Sequence, residues 1–225
     1  MVMRLIAHRG FADRYPENTL RAVREASRFA DEVEVDVRRC DSGELVVVHD
    51  CTVDRVTDGE GAVAHHSLAE LRALDVLGTG EGVPTLAEVL SAVPPTVGVN
   101  AELKEVGLAD DVLRLAARAD AQVTVSSFHA NELEGCRGVD EAVPRAYLFE
   151  DDPDQALAFA RETDCTYLHP AVDAVDERLV NRAHHDGMSV NAWTVADRAT
   201  AERLCDLGVD GIIANCHEAL PKIKG

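Results

Sequence analysis

Short runs rich in Val, Ile and Leu alternate with longer amphipathic stretches from one end of this chain to the other, and that alternation confines the fold more than any single residue does. A strand buried on both faces reads as a near-continuous apolar run, and a helix packed over it keeps its outer side polar. The repeat therefore points to βα units around a parallel sheet. The strand candidates are residues 3–7, 32–38, 45–48, 96–103, 122–127, 144–149, 165–169, 188–193 and 209–213. Helical stretches fall at 18–30, 67–74, 85–93, 108–119, 130–137, 153–163, 175–186 and 197–207. Asn18, Ser67 and Asp197 are placed as N-caps, Pro84 at the start of a first helical turn, and Gly187 and Gly208 just past helix ends.

Nine strand candidates exceed by one the eight of a closed (β/α)8 barrel. Segments 32–38 and 45–48 are joined by Cys40-Asp41-Ser42-Gly43-Glu44, too short for the crossover that parallel neighbours need, so an antiparallel hairpin is expected there. The expected fold is an α/β TIM barrel with an extra antiparallel hairpin strand. Residues 51–83, with five glycines, are the least regular part and read as a small capping insertion over the barrel mouth. A length of 225 residues suits one domain, taken as 1–225.

Within Val33-Glu34-Val35-Asp36-Val37 the period of a strand puts both carboxylates on one face and the valines on the other. Two acids inside a barrel strand need a positive partner. If the hairpin turn centres on Ser42-Gly43, Asp36 lies opposite His49 and Glu34 opposite Cys51, which brings an imidazole beside the acids. Strand 96–103 repeats the device: Asn100, Glu102 and Lys104 share a face near the C-terminal end of the strand, where barrel enzymes build their sites. Three carboxylates, Glu34, Asp36 and Glu102, with no cluster of thiolates or imidazoles, suit a hard cation. Mg²⁺ or Ca²⁺ is expected, with Mn²⁺ as a further candidate. His8-Arg9-Gly10 ends the first strand, with Arg9 able to hold a phosphate oxygen and Gly10 allowing a tight turn.

Composition removes several classes of function. The formal charge is −19, with Lys104, Lys222 and Lys224 the only lysines, so the surface repels polyanions and nucleic acid is not an expected partner. Such an excess of acid suits a high-salt cytoplasm. No apolar run reaches the length of a membrane span, and only three apolar residues separate Arg4 from the polar pair His8-Arg9, so neither membrane insertion nor a secretory leader is expected and the chain is placed in the cytoplasm. The six cysteines show no ligand-like spacing and are read as reduced core residues. His65-His66 and His184-His185 read as solvated doublets, His129 and His217 have no evident partner, and His169, ending a strand before Pro170, is a weaker candidate for facing a substrate.

Taken in order, His8-Arg9-Gly10, Pro16-Glu17-Asn18-Thr19, Glu34-Val35-Asp36, His49-Asp50, Asp54-Arg55, Pro84-Thr85-Leu86, Glu102-Leu103-Lys104, Ser127-Phe128, Trp193-Thr194 and Gly208-Val209-Asp210-Gly211-Ile212-Ile213 resemble the signature of the glycerophosphodiester phosphodiesterases over nearly the whole chain. The resemblance implies His8 and His49 as an acid/base pair and Glu34, Asp36 and Glu102 as metal ligands. It also implies Arg9 and Lys104 as phosphate contacts, with Phe128 and Trp193 lining the pocket. The activity implied is metal-dependent hydrolysis of a small glycerophosphodiester to glycerol phosphate and an alcohol, by attack of the glycerol 2-hydroxyl and then of water on a cyclic phosphate. Where family members often carry Thr-Asp this chain has Ala214-Asn215. The alternatives are a related barrel phospholipase, similar to phosphatidylinositol-specific phospholipase C or sphingomyelinase D, and a non-catalytic metabolite-binding barrel. Low aromatic content, 4%, and the lack of a basic amphipathic helix weigh against a lipid surface.

Overall fold

A computed structural model describes residues 3–219; Lys222 and Lys224 lie outside that range. The elements are β1 (Arg4–Ala7), α1 (Leu20–Ala26), β2 (Glu32–Arg39), β3 (Leu45–Val47), α2 (Leu68–Ala73), α3 (Leu86–Ala92), β4 (Gly98–Leu103), α4 (Ala109–Ala116), β5 (Val123–Ser127), α5 (Ala130–Val139), β6 (Arg145–Phe149), α6 (Pro153–Glu162), β7 (Tyr167–Pro170), α7 (Glu177–His185), β8 (Ser189–Val195), α8 (Arg198–Asp206) and β9 (Gly211–Ala214). β1 pairs in parallel with both β2 and β9, which closes β1, β2 and β4 to β9 into an eight-stranded parallel barrel; β3 lies outside it, antiparallel to β2.

Strand period decides where the core sits. Val33, Val35 and Val37 of β2 and Val99, Ala101 and Leu103 of β4 belong to the apolar layer shared with Val89 of α3, Val112 of α4 and Leu133 of α5. The alternate residues Glu32, Glu34, Asp36, Asn100, Glu102, Thr124 and Ser126 are buried and polar. The principal hydrophobic layer is therefore between sheet and helices, and this side of the barrel interior is left for polar chemistry.

Three local expectations are corrected. The hairpin pairs Val37 with Val47 and Arg39 with Leu45, one residue out of the expected register, so Asp36 falls opposite Val48 and not His49. The cause is Gly43, at φ 97: its N–H donates to Cys40 O at 3.0 Å and Cys40 N–H to Glu44 O at 3.1 Å, a three-residue loop with a bulge. Thr19, not Asn18, caps α1 by accepting from Ala22 N–H at 3.1 Å, while the Asn18 side chain donates to Asp36 Oδ2 at 2.8 Å. Pro84 precedes the cap, because Thr85 and Glu88 form a capping box at the start of α3. Ser67 and Asp197 cap α2 and α8 as expected.

Residues 51–83 carry a small core of their own. Val53, Val56, Val63, Leu71, Val76 and Val83 pack with Val46 and Val48 of the hairpin, so the excursion rests on β3 and sends Arg55 to the rim. α4 has no capping side chain at Leu108; the buried Glu132 of α5 accepts instead from the N–H groups of Gly107, Leu108 and Ala109 at 2.7, 2.6 and 2.6 Å. The six cysteines are free; Cys40, Cys136 and Cys165 are buried as expected, whereas Cys51 and Cys205 are exposed. No helix among the described residues is long and apolar enough to cross a membrane.

Candidate active site

Past β1 the chain tightens into a turn over His8–Gly10, with Arg9 at φ 50, Gly10 at φ 77 and Phe11 at φ 66. Glycine is required at the middle of these three left-handed residues, because a Cβ there would also meet Ala22 Cβ of α1 at 2.7 Å. The turn aims the Arg9 N–H at Glu34 Oε2, 2.7 Å away. It also seats the guanidinium between Glu17 Oε1 at 3.1 Å and Asp36 Oδ2 at 3.2 Å. Backbone torsions disfavoured for an arginine are thus held by the packing of Phe11 and by three carboxylates.

Asp36 of β2 is in register with Glu102 of β4, and Glu34 with Asn100. One ligand oxygen from each of Glu34, Asp36 and Glu102 lies within 4.8 Å of the others, and all three residues are buried. Each carboxylate has one oxygen held by a protein donor: Arg9 N–H for Glu34, Asn18 Nδ2 for Asp36, and Lys104 Nζ, at 2.6 Å, for Glu102. Glu34 Oε1 and Asp36 Oδ1 remain buried without a hydrogen-bond partner, although Lys104 Nζ stands 3.5 Å from the latter. Burial and the charges of Asp36 and Glu102 push the Glu34 carboxyl far above its usual range. Burial and Asp36 push Glu102 up to about 7. Asp36 stays low because Arg9 and Lys104 outweigh its own burial. Lys104 is raised in turn: burial opposes its charge, but Asp36 and Glu102 prevail. Three convergent acids short of counter-charge, with orphaned oxygens pointing together, form a set that fits one hard divalent cation.

Two histidines flank this cluster, each oriented through Nδ1. His8 Nδ1 lies 2.7 Å from Oδ1 of Asn215, just past β9, and His49 Nδ1 lies 2.6 Å from Asp50 Oδ1. An amide or carboxylate oxygen only accepts, so Nδ1 carries the proton in both rings and Nε2 is left for the cavity. Burial, together with Arg9, holds His8 below the usual imidazole range. Asp50 is anchored by Arg55 Nε at 2.6 Å, and the hydrogen bonds from Arg55 and His49, against partial burial, hold its carboxyl down at about 2. Arg38 of β2 fixes the segment by donating to the His49 carbonyl at 2.9 Å.

A cavity of about 270 Å³ opens over these groups and is lined by His8, Arg9, Glu34, His49, Glu102 and Lys104 together with Asn100, Ser126, Phe128 and Trp193. Trp193 donates from Nε1 to the His169 carbonyl at 2.7 Å and meets Phe128 edge to face, with centroids 5.4 Å apart. Of the residues singled out from the sequence for catalysis, metal or substrate, all border this one cavity except His169 and Asp36, the latter buried at 1% exposure beside Glu102 in the sheet. His169 is not among the lining residues: it is sealed in the barrel beside Asn191 Nδ2 at 3.1 Å, and burial with Arg4 nearby brings it down to about 3, so it is neutral. His217 and His129 do have partners, the ring of Phe29 and the Lys104 carbonyl. Asn215, Asn100 and Ser126 were not assigned from the sequence.

The model of the glycerophosphoryl diester phosphodiesterase family matches residues 8–108 and 104–218. The chain belongs to this family. A glycerophosphodiester phosphodiesterase of Caldanaerobacter subterraneus subsp. tengcongensis is 32% identical over 231 residues, covering 96% of this chain and 95% of the relative. One from Bacillus altitudinis is 29% identical over 239 residues, covering 98% of each. Among solved structures, a phosphodiesterase of Oleispira antarctica in complex with the product sn-glycerol-3-phosphate superposes with a TM-score of 0.89 at 28% identity, covering 97% of this chain and 94% of that one. A glycerophosphodiester phosphodiesterase of Thermotoga maritima gives 0.85 at 26% identity, covering 97% and 96%. The family's reaction, hydrolysis of glycerophosphodiesters, is the activity of this barrel, and its members share the (β/α)8 architecture described above.

Proposed function

We propose that this enzyme cleaves small glycerophosphodiesters to glycerol phosphate and an alcohol, with Glu34, Asp36 and Glu102 holding one divalent cation and His8 and His49 moving the protons. The observation that carries the reading is the convergence of three acids, two of whose buried oxygens have no partner, between two imidazoles held by the same device. Mg²⁺ or Ca²⁺ suits an all-carboxylate set, and Mn²⁺ is compatible. When bound, such a cation neutralises phosphate charge and makes a nearby hydroxyl more acidic.

The chain's own groups supply the rest. Arg9 and Lys104, the latter the only lysine among the described residues, bring positive charge to the phosphate oxygens. His8, facing a neutral amide and held below the usual imidazole range, is free base at neutral pH; its Nε2 takes the proton of the glycerol 2-hydroxyl. As the O–P bond to that oxygen forms, the bond to the leaving alcohol breaks, and His49 donates the proton that the alcohol needs. The Asp50 carboxylate gives the His49 imidazolium a counter-charge before that transfer. In the second step His49 takes a proton from water as it attacks the cyclic phosphate, the bond from phosphorus to the 2-oxygen breaks, and His8 returns a proton to that oxygen. Phe128 and Trp193 wall the cavity, their rings meeting edge to face. We place the reaction in the cytoplasm, in keeping with six free cysteines.

The test is turnover of glycerophosphocholine, glycerophosphoethanolamine and phosphatidylcholine vesicles with Mg²⁺, Ca²⁺ and Mn²⁺ at low and high salt. Small diesters should be cleaved and vesicles not. His8→Ala and His49→Ala should each lose roughly a hundredfold or more in kcat with the fold retained. Near-normal turnover in either variant removes that ring from the scheme.

A further inference from the structure

Two buried polar residues lining the cavity have no part in the scheme above. Asn100, one inward position before Glu102 on β4, is 1% exposed, and neither its Oδ1 nor its Nδ2 has a hydrogen-bond partner. Ser126, beside Glu102 in the register of β5, is 0% exposed, and its Oγ is likewise unpartnered. Nearly all buried polar side chains in folded proteins are paired, so two unpaired ones facing the same open space indicate groups kept for a ligand.

Their chemistry says which part of a ligand they take. A glycerophosphodiester presents a phosphate anion, a 2-hydroxyl, an esterified alcohol and one free terminal hydroxyl. Arg9 and Lys104 account for the anion, His8 for the attacking hydroxyl and His49 for the leaving oxygen. Only the terminal hydroxyl, a donor and an acceptor at once, is left without a partner. Asn100 offers an acceptor and a donor on one amide, and Ser126 offers both on one oxygen; neither carries the charge that would select an anion. Resting on the function proposed above, we infer that Asn100 and Ser126 bind the free terminal hydroxyl of the glycerol moiety and make this enzyme selective for glycerol over simpler diols.

The experiment compares glycerophosphocholine with the analogue built on propane-1,2-diol, which keeps the attacking 2-hydroxyl and lacks only the terminal one. The wild-type enzyme should favour the glycerol substrate in kcat/KM by about tenfold or more, because the analogue leaves buried polar groups unpaired. In Asn100→Ala that preference should fall toward unity, and in Ser126→Ala it should fall in part. Ser126→Ala should also melt no lower than wild type, since its hydroxyl has no partner to lose. Equal use of both substrates by wild type, or an undiminished preference in both variants, overturns the inference. Should Asn100→Ala fail to fold, the wild-type ratio and Ser126→Ala decide. If wild type cleaves neither substrate with any metal, the proposed function fails. The inference is then decided by calorimetric binding of racemic glycerol phosphate against propane-1,2-diol phosphate, where equal affinity overturns it.

Discussion

Replacing Glu102 with Gln should make the metal-stripped protein more stable at pH 8 and the metal-loaded protein less so. Burial and the Asp36 charge raise the Glu102 carboxyl from its ordinary 4.5 to about 7. A carboxyl that binds its proton more tightly in the fold than in the unfolded chain stabilises the fold fully below pH 4.5, and that contribution is lost as pH rises through about 7. At 1.36 kcal/mol per unit the contribution is about 3 kcal/mol, or roughly 5–15 °C in melting temperature for a protein of this size. Gln is nearly isosteric, keeps an oxygen for Lys104 Nζ and has no proton to lose. Thermal unfolding of chelator-treated wild type and Glu102→Gln from pH 4.5 to 8.5, at fixed ionic strength, measures the difference. The two should converge near pH 4.5, and wild type should fall behind above pH 7. Adding Mg²⁺ or Ca²⁺ at pH 8 to about a thousand times its Kd should reverse the order, since a ligand at that excess stabilises by about 4.1 kcal/mol. Parallel melting curves across the pH range, or an order indifferent to metal, would refute the claim that Glu102 is a charge short of its cation.

Asn215→Leu removes the acceptor that sets the His8 tautomer and should lower kcat about tenfold, with Asn215→Asp restoring turnover and moving the acidic limb of the pH profile to higher pH. Steady-state kinetics across pH measure both, and an Asn215→Leu profile like that of wild type excludes the role. Glu132→Ala strips three backbone N–H groups at the start of α4 of their acceptor, an expected loss of about 2–4 kcal/mol by chemical unfolding; a loss under about 0.5 kcal/mol would show that water replaces the carboxylate. With a formal charge of −19, melting temperature should climb by several degrees between about 0.1 and 2 M KCl as screening relieves self-repulsion. Indifference to salt would leave the acidic surface without that explanation.

Most of the barrel was legible because its signal is local. Alternation along Val33–Val37 and Gly98–Leu103 tells which side chains face inward, and a five-residue connection cannot join parallel strands. What escaped the sequence depends on partners distant in the chain or on single torsions. The register of the hairpin turned on Gly43 taking a left-handed bulge, which shifts every pair by one. Asn18 resembles an N-cap by type and position, yet its side chain serves Asp36 eighteen residues away, and Thr19 caps the helix instead. Glu132 caps a helix that begins 23 residues before it, and Asn215 orients a histidine 207 residues away. Asn100 and Ser126 gave no signal by type, since each suits a strand's polar face. Only burial without a partner sets them apart.

Diffraction from a crystal soaked in Mn²⁺, recorded at the manganese absorption edge, puts the convergence of acids to its most direct test. One anomalous peak should lie among the carboxylates of Glu34, Asp36 and Glu102, facing His8 and His49. No peak there, or manganese bound only to surface acids, would contradict the metal site and the chemistry built around it.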